Sequence, residues 1–270
     1  MVELSTLQGP ANSLAAEAWA EVREALDLQL SPLGLRAIEA LRPSCGDIIV
    51  DVGCGAGQTV LQLADAVGPR GRVVGVDIAP LLLDIARERT SELEHVSFIA
   101  GDAVGLDLPE KSVDAFYSRF GVMAFSDPVV AFSNFHRMLK PTGRLAFVCW
   151  RALEENELDH LPLRAAALEH MVNATPFSFA DPSHVRGILE QAGFKNVSIV
   201  GHDQVVTCGD LDAAMAVLLK VGPLGRILRE NPELRGAAET CVRAALPIKG
   251  DPACVALQSA TWIVTARAYG

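Results

Sequence analysis

The chain has 270 residues, 50% of them hydrophobic, and 23 basic against 33 acidic side chains give a formal net charge of −10. That composition describes one ordinary globular domain with room for elaboration, and the acidic balance excludes nucleic-acid or anionic-membrane binding through bulk charge, since no local basic patch offsets it. The opening MVELSTLQGP has no basic segment followed by an apolar one, and no run of about twenty uncharged apolar residues occurs anywhere, so neither a secretion signal nor a membrane span is expected and the protein is expected in the cytoplasm.

Residues 11–42 are rich in Ala, Leu and Glu, with Leu14, Ala18, Val22, Ala25 and Leu26 at helical intervals; a break is expected at Ser31-Pro32 and a stop at Pro43. From residue 48 short apolar runs alternate with helical stretches. IIVDVG (48–53), RVVGVD (72–77), HVSFIAGD (95–102), VDAFYSRF (113–120) and RLAFVCW (144–150) read as strands. TVLQLADAVG, APLLLDIARERTSEL and DPVVAFSNFHRMLKPTG read as the helices between them. Apolar runs without polar alternation suit strands covered on both faces, and the helices between them imply right-handed crossovers in a parallel sheet. After Trp150 the regularity lapses until DPSHVRGILEQAGF reads as a capped helix, KNVSIVGHDQVV as a sixth strand and SATWIVTARA (259–268) as a last one.

The predicted architecture is therefore α/β: a doubly wound, mostly parallel, seven-stranded Rossmann-like sheet with helical lid insertions, forming a single domain over 1–270. N-terminal helices would occupy 1–45 and a ligand-binding core 46–150. The lid insertions would occupy 151–180 and 209–247, and 181–208 with 248–270 would complete the core. Open sheets of this kind bind ligands beyond the carboxyl ends of their strands. Six cysteines at long, irregular intervals and dispersed histidines offer no ligand spacing, so the thiols are read as reduced and no metal is expected.

Asp51-Val52-Gly53-Cys54-Gly55-Ala56-Gly57 follows the first strand and opens a helix. Alternate glycines let the backbone turn sharply and lie against a ligand, while the amides of the following helix face a negative group. Asp77 ends the second strand, where a carboxylate can accept both hydroxyls of a ribose diol. Asp102 ends the third, placed to accept from the amino group of an adenine, with the Ala103 N–H free for a ring nitrogen. The competing reading is that both carboxylates merely cap the following helices.

VDVGCGAG, GVDIA, AGDA, VDAFYSRFGVMAF and LKPTGRLAFVCW occur in the order and at the spacing of class I S-adenosylmethionine-dependent methyltransferases. The chain resembles their small-molecule group, which includes ubiquinone and menaquinone biosynthesis methyltransferases, strongly over residues 46–150 and beyond them only in general layout. The resemblance implies S-adenosyl-L-methionine as cofactor, with Asp51 anchoring the loop and the methionine amino group. Gly53, Cys54, Gly55 and Gly57 would lie along the methionine and ribose, Asp77 on the ribose, Ile78 on the adenine face, and Asp102 with Ala103 on its edge. Ser118, Arg119 and Phe120 would sit near the methionine tail and the transferable methyl. Thr142 stands where the family usually has a second turn glycine.

Methyl transfer from a sulfonium is an in-line displacement, so alignment matters more than a protein nucleophile, and no catalytic residue is assigned. His136 reads as a packing or surface residue; His160, His170 and His184 are better placed near the lid, yet each alone reads as an ordinary surface residue. Trp150, Arg151, Phe120 and Met123 are expected at the rim with Trp19 closing over them, a wall suited to a flat or prenyl-like apolar acceptor, or else simply lid-core contacts. Arg119 and Arg151 would hold an acidic group on the substrate or the cofactor carboxylate, or pair with lid carboxylates such as Glu154 and Glu155. The expected partner is a small-molecule acceptor, with no nucleic acid and no membrane, and a homodimer is the candidate assembly. Two other readings stay open: an NAD-type dehydrogenase, and a fold relative that binds the cofactor as a non-methylating cyclase or regulatory binder.

Overall fold

The computed structural model describes residues 10–246 and 253–269. Residues 1–9, on which the signal-peptide expectation partly rests, lie outside the described residues, as do 247–252, where the second insertion was expected to end.

Among the described residues, seven strands form one sheet: β1 (Ile48–Val52), β2 (Arg72–Asp77), β3 (Val96–Ala100), β4 (Val113–Arg119), β5 (Leu139–Trp150), β6 (Lys195–Thr207) and β7 (Ala256–Arg267). Their order is β3-β2-β1-β4-β5-β7-β6. The first five are parallel, and β7 runs antiparallel between β5 and β6. Chain order reverses between β1 and β4, and such a switch point opens a crevice at the carboxyl edge of the sheet.

The apolar runs explain the burial. Ile49, Val50, Phe116, Ala146, Phe147 and Val148 are all fully buried, because helices cover both faces. On one face lie α2 (Arg23–Leu41) and α3 (Gln58–Val67); the Tyr117 hydroxyl donates to the Gly34 carbonyl at 3.0 Å, tying β4 to α2. On the other, α5 (Pro128–Met138) and α7 (Pro182–Gln191) enclose an aromatic cluster in which Phe116 stacks on Phe135 at 4.5 Å and Phe132 on Phe147 at 5.7 Å. His136 Nε2 donates to the Ala268 carbonyl, 2.7 Å away, and the ring meets the edge of Phe194, so it is a packing residue.

Two local expectations are corrected. The helix does not break at Ser31-Pro32. The interruption falls at Val22, between α1 (Pro10–Glu21) and α2, and α2 runs through Pro32. An interior proline costs about 3 kcal/mol; burial of Leu26, Leu30, Leu33, Ala37, Ile38 and Leu41 against the sheet outweighs that loss. The Lys140–Gly143 turn also lies inside β5 rather than before it, as a register break between the Val113–Leu139 and Ala115–Arg144 pairs. The remaining helices are α4 (Pro80–Arg89), α6 (Glu157–Ala165), α8 (Leu211–Leu218), α9 (Gly222–Glu230) and α10 (Arg235–Ala245). Helix α6 packs on β7, α9 and α10, while α8 reaches α2. No helix among the described residues is long and apolar enough to cross a membrane.

Candidate functional site

The strand register carries Asp51, Asp77, Arg119 and Trp150 to the carboxyl edge of the sheet, with Asp102 just beyond β3. At the switch point the loops after β1 and β4 touch without side chains between them. A Cβ on Gly53, whose φ is +73°, would lie 2.8 Å from the Gly121 Cα, and one on Gly121 would lie 2.5 Å from the Val52 oxygen. Gly57 is equally constrained, its Cβ position lying 2.9 Å from the Ala86 side chain. Gly55 differs: φ is +54° and its Cβ position faces open space.

Asp51 is fully buried. Its Oδ2 accepts from the Thr59 hydroxyl at 2.5 Å, and its Oδ1 has no hydrogen-bond partner among the described residues. Burial pushes the carboxyl up to about 7, with the Thr59 bond and the nearby Arg119 charge pulling the other way. A buried acceptor without a donor costs on the order of 1–3 kcal/mol, which makes Oδ1 a position that awaits one.

Asp77 joins the loop to the next helix: Oδ2 accepts the Gly55 N–H at 2.8 Å and Oδ1 the Ala79 N–H at 2.9 Å. Burial raises its pKa, opposed by those same backbone bonds. Asp102 Oδ1 accepts from the Val104 N–H at 2.9 Å and caps the short turn Ala103–Gly105. The capping role weighed against a ligand role is thus real for both carboxylates, although an ionised carboxyl offers about four acceptor positions and neither residue is saturated. Ile78, 46% exposed, presents apolar surface beside Asp77. Ala103 is buried, and so is Cys54, whose N–H donates to the Val76 carbonyl and whose sulfur lies against Gly75.

After β4 the three expected residues differ in availability. The Ser118 hydroxyl donates to the Val52 carbonyl at 2.7 Å and accepts from the Gly121 N–H at 3.1 Å, so its side chain braces the two loops and faces inward. Arg119 donates to Gln58 Oε1. Phe120 has a left-handed backbone, φ +60°, uncommon for a bulky residue, and its ring stacks on Trp150 at 4.0 Å and 14°. Met123 sulfur accepts the Trp150 N–H at 3.4 Å, completing an apolar wall.

Trp19, on α1, is partly exposed and makes no ring contact with Trp150 or Phe120 among the described residues, and α1 packs on α4. Arg151 turns away toward β6 and β7, paired with Glu155 and with Asp203 at 2.9 Å and lying 4.9 Å over the Trp262 ring. Of the lid histidines, His160 pairs with Glu169 at 3.0 Å in an exposed position.

Sequence reading passed over Thr59, Gln58, Asp27 and Arg89. The first two directly follow the glycine loop and were open to notice as the first turn of a helix facing Asp51. The Arg89–Asp27 ion pair, 2.6 Å long, joins α4 to α2 and has no local signal.

A sheet of this order, with a glycine loop and acidic strand ends gathered at its switch point, defines a class I methyltransferase fold. Residues 50–147 match the methyltransferase domain family. The demethylmenaquinone methyltransferase of Staphylococcus aureus (strain JH9) is 28% identical over 171 residues, covering 57% of this chain and 70% of that protein. Among solved structures, the YcgJ protein from Bacillus subtilis matches with a TM-score of 0.59 at 18% identity, over 88% of this chain and 98% of that one. Phosphoethanolamine N-methyltransferase 2 of Haemonchus contortus, solved with phosphomonomethylethanolamine and S-adenosylhomocysteine, matches with a TM-score of 0.57 at 17% identity, over 88% of this chain. The match covers 53% of the Haemonchus chain, about half its length. The chain thus carries a methyltransferase domain over residues 50–147 and is similar to S-adenosylmethionine-dependent methyltransferases, those of quinone biosynthesis among them.

Proposed function

We propose that this protein moves a methyl group from S-adenosylmethionine to a small apolar acceptor, flat or prenyl-like. In this reading Asp51, the Gly53–Gly57 loop, Asp77, Ile78, Asp102, Ala103, Arg119 and Phe120 hold the cofactor. Phe120, Met123 and Trp150 line the acceptor side, and the helical segments within 151–180 and 209–246 act as lid. The single observation that carries the reading is the orphaned Asp51 Oδ1 beside a loop whose central glycine faces open space. An ammonium group fits that acceptor, and the cofactor's methionine tail carries one.

When bound, the cofactor supplies an electrophilic methyl on a sulfonium. The protein's share of the work is alignment, which in favourable cases lowers a barrier by up to about 7–11 kcal/mol. Asp77 braces the loop in the conformation that leaves Gly55 bare, and the stacked Phe120–Trp150 pair gives a planar acceptor a parallel surface. The name of the Staphylococcus relative supports a quinone-type ring as the first acceptor to try.

The test is incubation of the purified protein with methyl-labelled cofactor and demethylmenaquinone in both redox states, alongside simpler hydroxylated aromatics. Label recovered in an organic-soluble product supports the proposal. Tight S-adenosylhomocysteine binding with no transfer to any of these overturns the acceptor assignment and favours a non-methylating cyclase or binder.

A further inference from the structure

Arg119 is a half-buried guanidinium without a carboxylate partner: its one hydrogen bond among the described residues is to the neutral amide of Gln58. It nevertheless lies close enough to Asp51 to influence that carboxyl. A guanidinium that pairs with no carboxylate among the described residues, within electrostatic reach of a carboxyl whose Oδ1 has no donor among them, is complementary to the two ends of a zwitterionic amino acid. This rests on the proposed reading that the cofactor's methionine tail occupies that position.

The amide of Gln58 is fixed at both ends. Its Nε2 donates to the Asp27 backbone oxygen at 2.9 Å, which can only accept, so Oε1 is the end turned to Arg119. Asp27 is itself held by Arg89 Nη2 at 2.6 Å, and the other arm of Arg89 donates to the Ala56 carbonyl in the glycine loop at 3.1 Å. Helix α2, the loop, α3, α4 and the end of β4 are thereby joined through the Gln58 amide and the Arg89 guanidinium, which both bind Asp27. We propose that Gln58 is a positioning residue that aims Arg119 at the carboxylate of the methionine tail, and that α2 is part of the cofactor site through Asp27. The neutrality of Gln58 is essential, because a carboxylate at that position would neutralise Arg119 and compete with the ligand.

The experiment compares two probes by isothermal titration: S-adenosylhomocysteine, which carries the amino-acid tail, and 5′-methylthioadenosine, which lacks it. Arg119→Met is expected to weaken S-adenosylhomocysteine by roughly a hundredfold and 5′-methylthioadenosine by less than about threefold. Gln58→Met, which keeps the shape and removes both hydrogen bonds, is expected to weaken S-adenosylhomocysteine by about tenfold with the same selectivity, and to add nothing in the Arg119→Met background. Additive effects, or equal losses on both probes, overturn the positioning role. If Arg119→Met is selective and Gln58→Met is silent, this proposal fails while the cofactor reading stands; if Arg119→Met is silent, the reading of the tail fails with it. Gln58→Glu serves as a second variant: it must lower affinity for S-adenosylhomocysteine more than for 5′-methylthioadenosine, and the reverse order also overturns the proposal.

Discussion

Cofactor affinity is expected to climb with pH through neutrality, and Asp51 is the reason. Burial holds its carboxyl at about 7, so at pH 5.5 nearly all of the cofactor-free protein carries it protonated and unable to pair with an ammonium. Binding of S-adenosylhomocysteine requires the ionised form, so the association constant should rise nearly tenfold per pH unit below 7 and level off above it, about thirtyfold in all between pH 5.5 and 8. Titration calorimetry in buffers of differing ionisation enthalpy should report close to one proton released at pH 6 and almost none at pH 8.5. Asp51→Asn keeps the shape, removes the titration and should give a flat profile at the low-affinity end. A flat profile in the unmodified protein, or an unchanged slope in Asp51→Asn, refutes the assignment of Asp51 as the ammonium partner.

Asp77→Ala is expected to weaken S-adenosylhomocysteine at least about tenfold, through loss of ribose contacts and of the brace on the Gly55 amide, and an unchanged dissociation constant removes Asp77 from the site. Asp159, on α6, has no hydrogen bond to its carboxylate among the described residues, and burial alone pushes it up to about 7. Its protonated form favours the fold, so it should withdraw roughly 4 kcal/mol of stability as pH rises from about 4 through 7. Asp159→Asn should accordingly raise the melting temperature at pH 8 and flatten its pH dependence, to be read by calorimetry against the unmodified protein. Gly53→Ala, at a positive φ and against the Gly121 Cα, should cost about 2 kcal/mol, visible as a melting temperature lower by several degrees.

Much of the core was legible because its signals are local. The runs from IIVDV to LAFVCW are apolar on both faces and punctuated by glycine, proline and acidic caps, and each became a strand or a helix near its expected bounds. The carboxylates at Asp51, Asp77 and Asp102 were legible because strand ends are fixed once strands are. What escaped depends on contacts distant in sequence. Gln58 meets Asp27 31 positions away, and Arg89 meets Asp27 62 away. The Arg151–Glu155 pair was among the alternatives read from the sequence, whereas its second partner, Asp203, lies 52 positions on. Tertiary burial carried α2 through Pro32, against the local preference for a break. LDHLPL gave no sign that Asp159 would point inward, because helical periodicity alone does not say which neighbours α9 and α10 will supply.

The bare contact between Gly53 and Gly121 sets a rule for anyone who would retrain this enzyme toward another substrate. Two main chains meet there with nothing to trim, so neither position tolerates diversification without shifting a strand end. On the proposed reading of the acceptor side, variation belongs at Phe120, Met123 and Trp150, where rings and a thioether can be exchanged while the contact between the two loops stays intact.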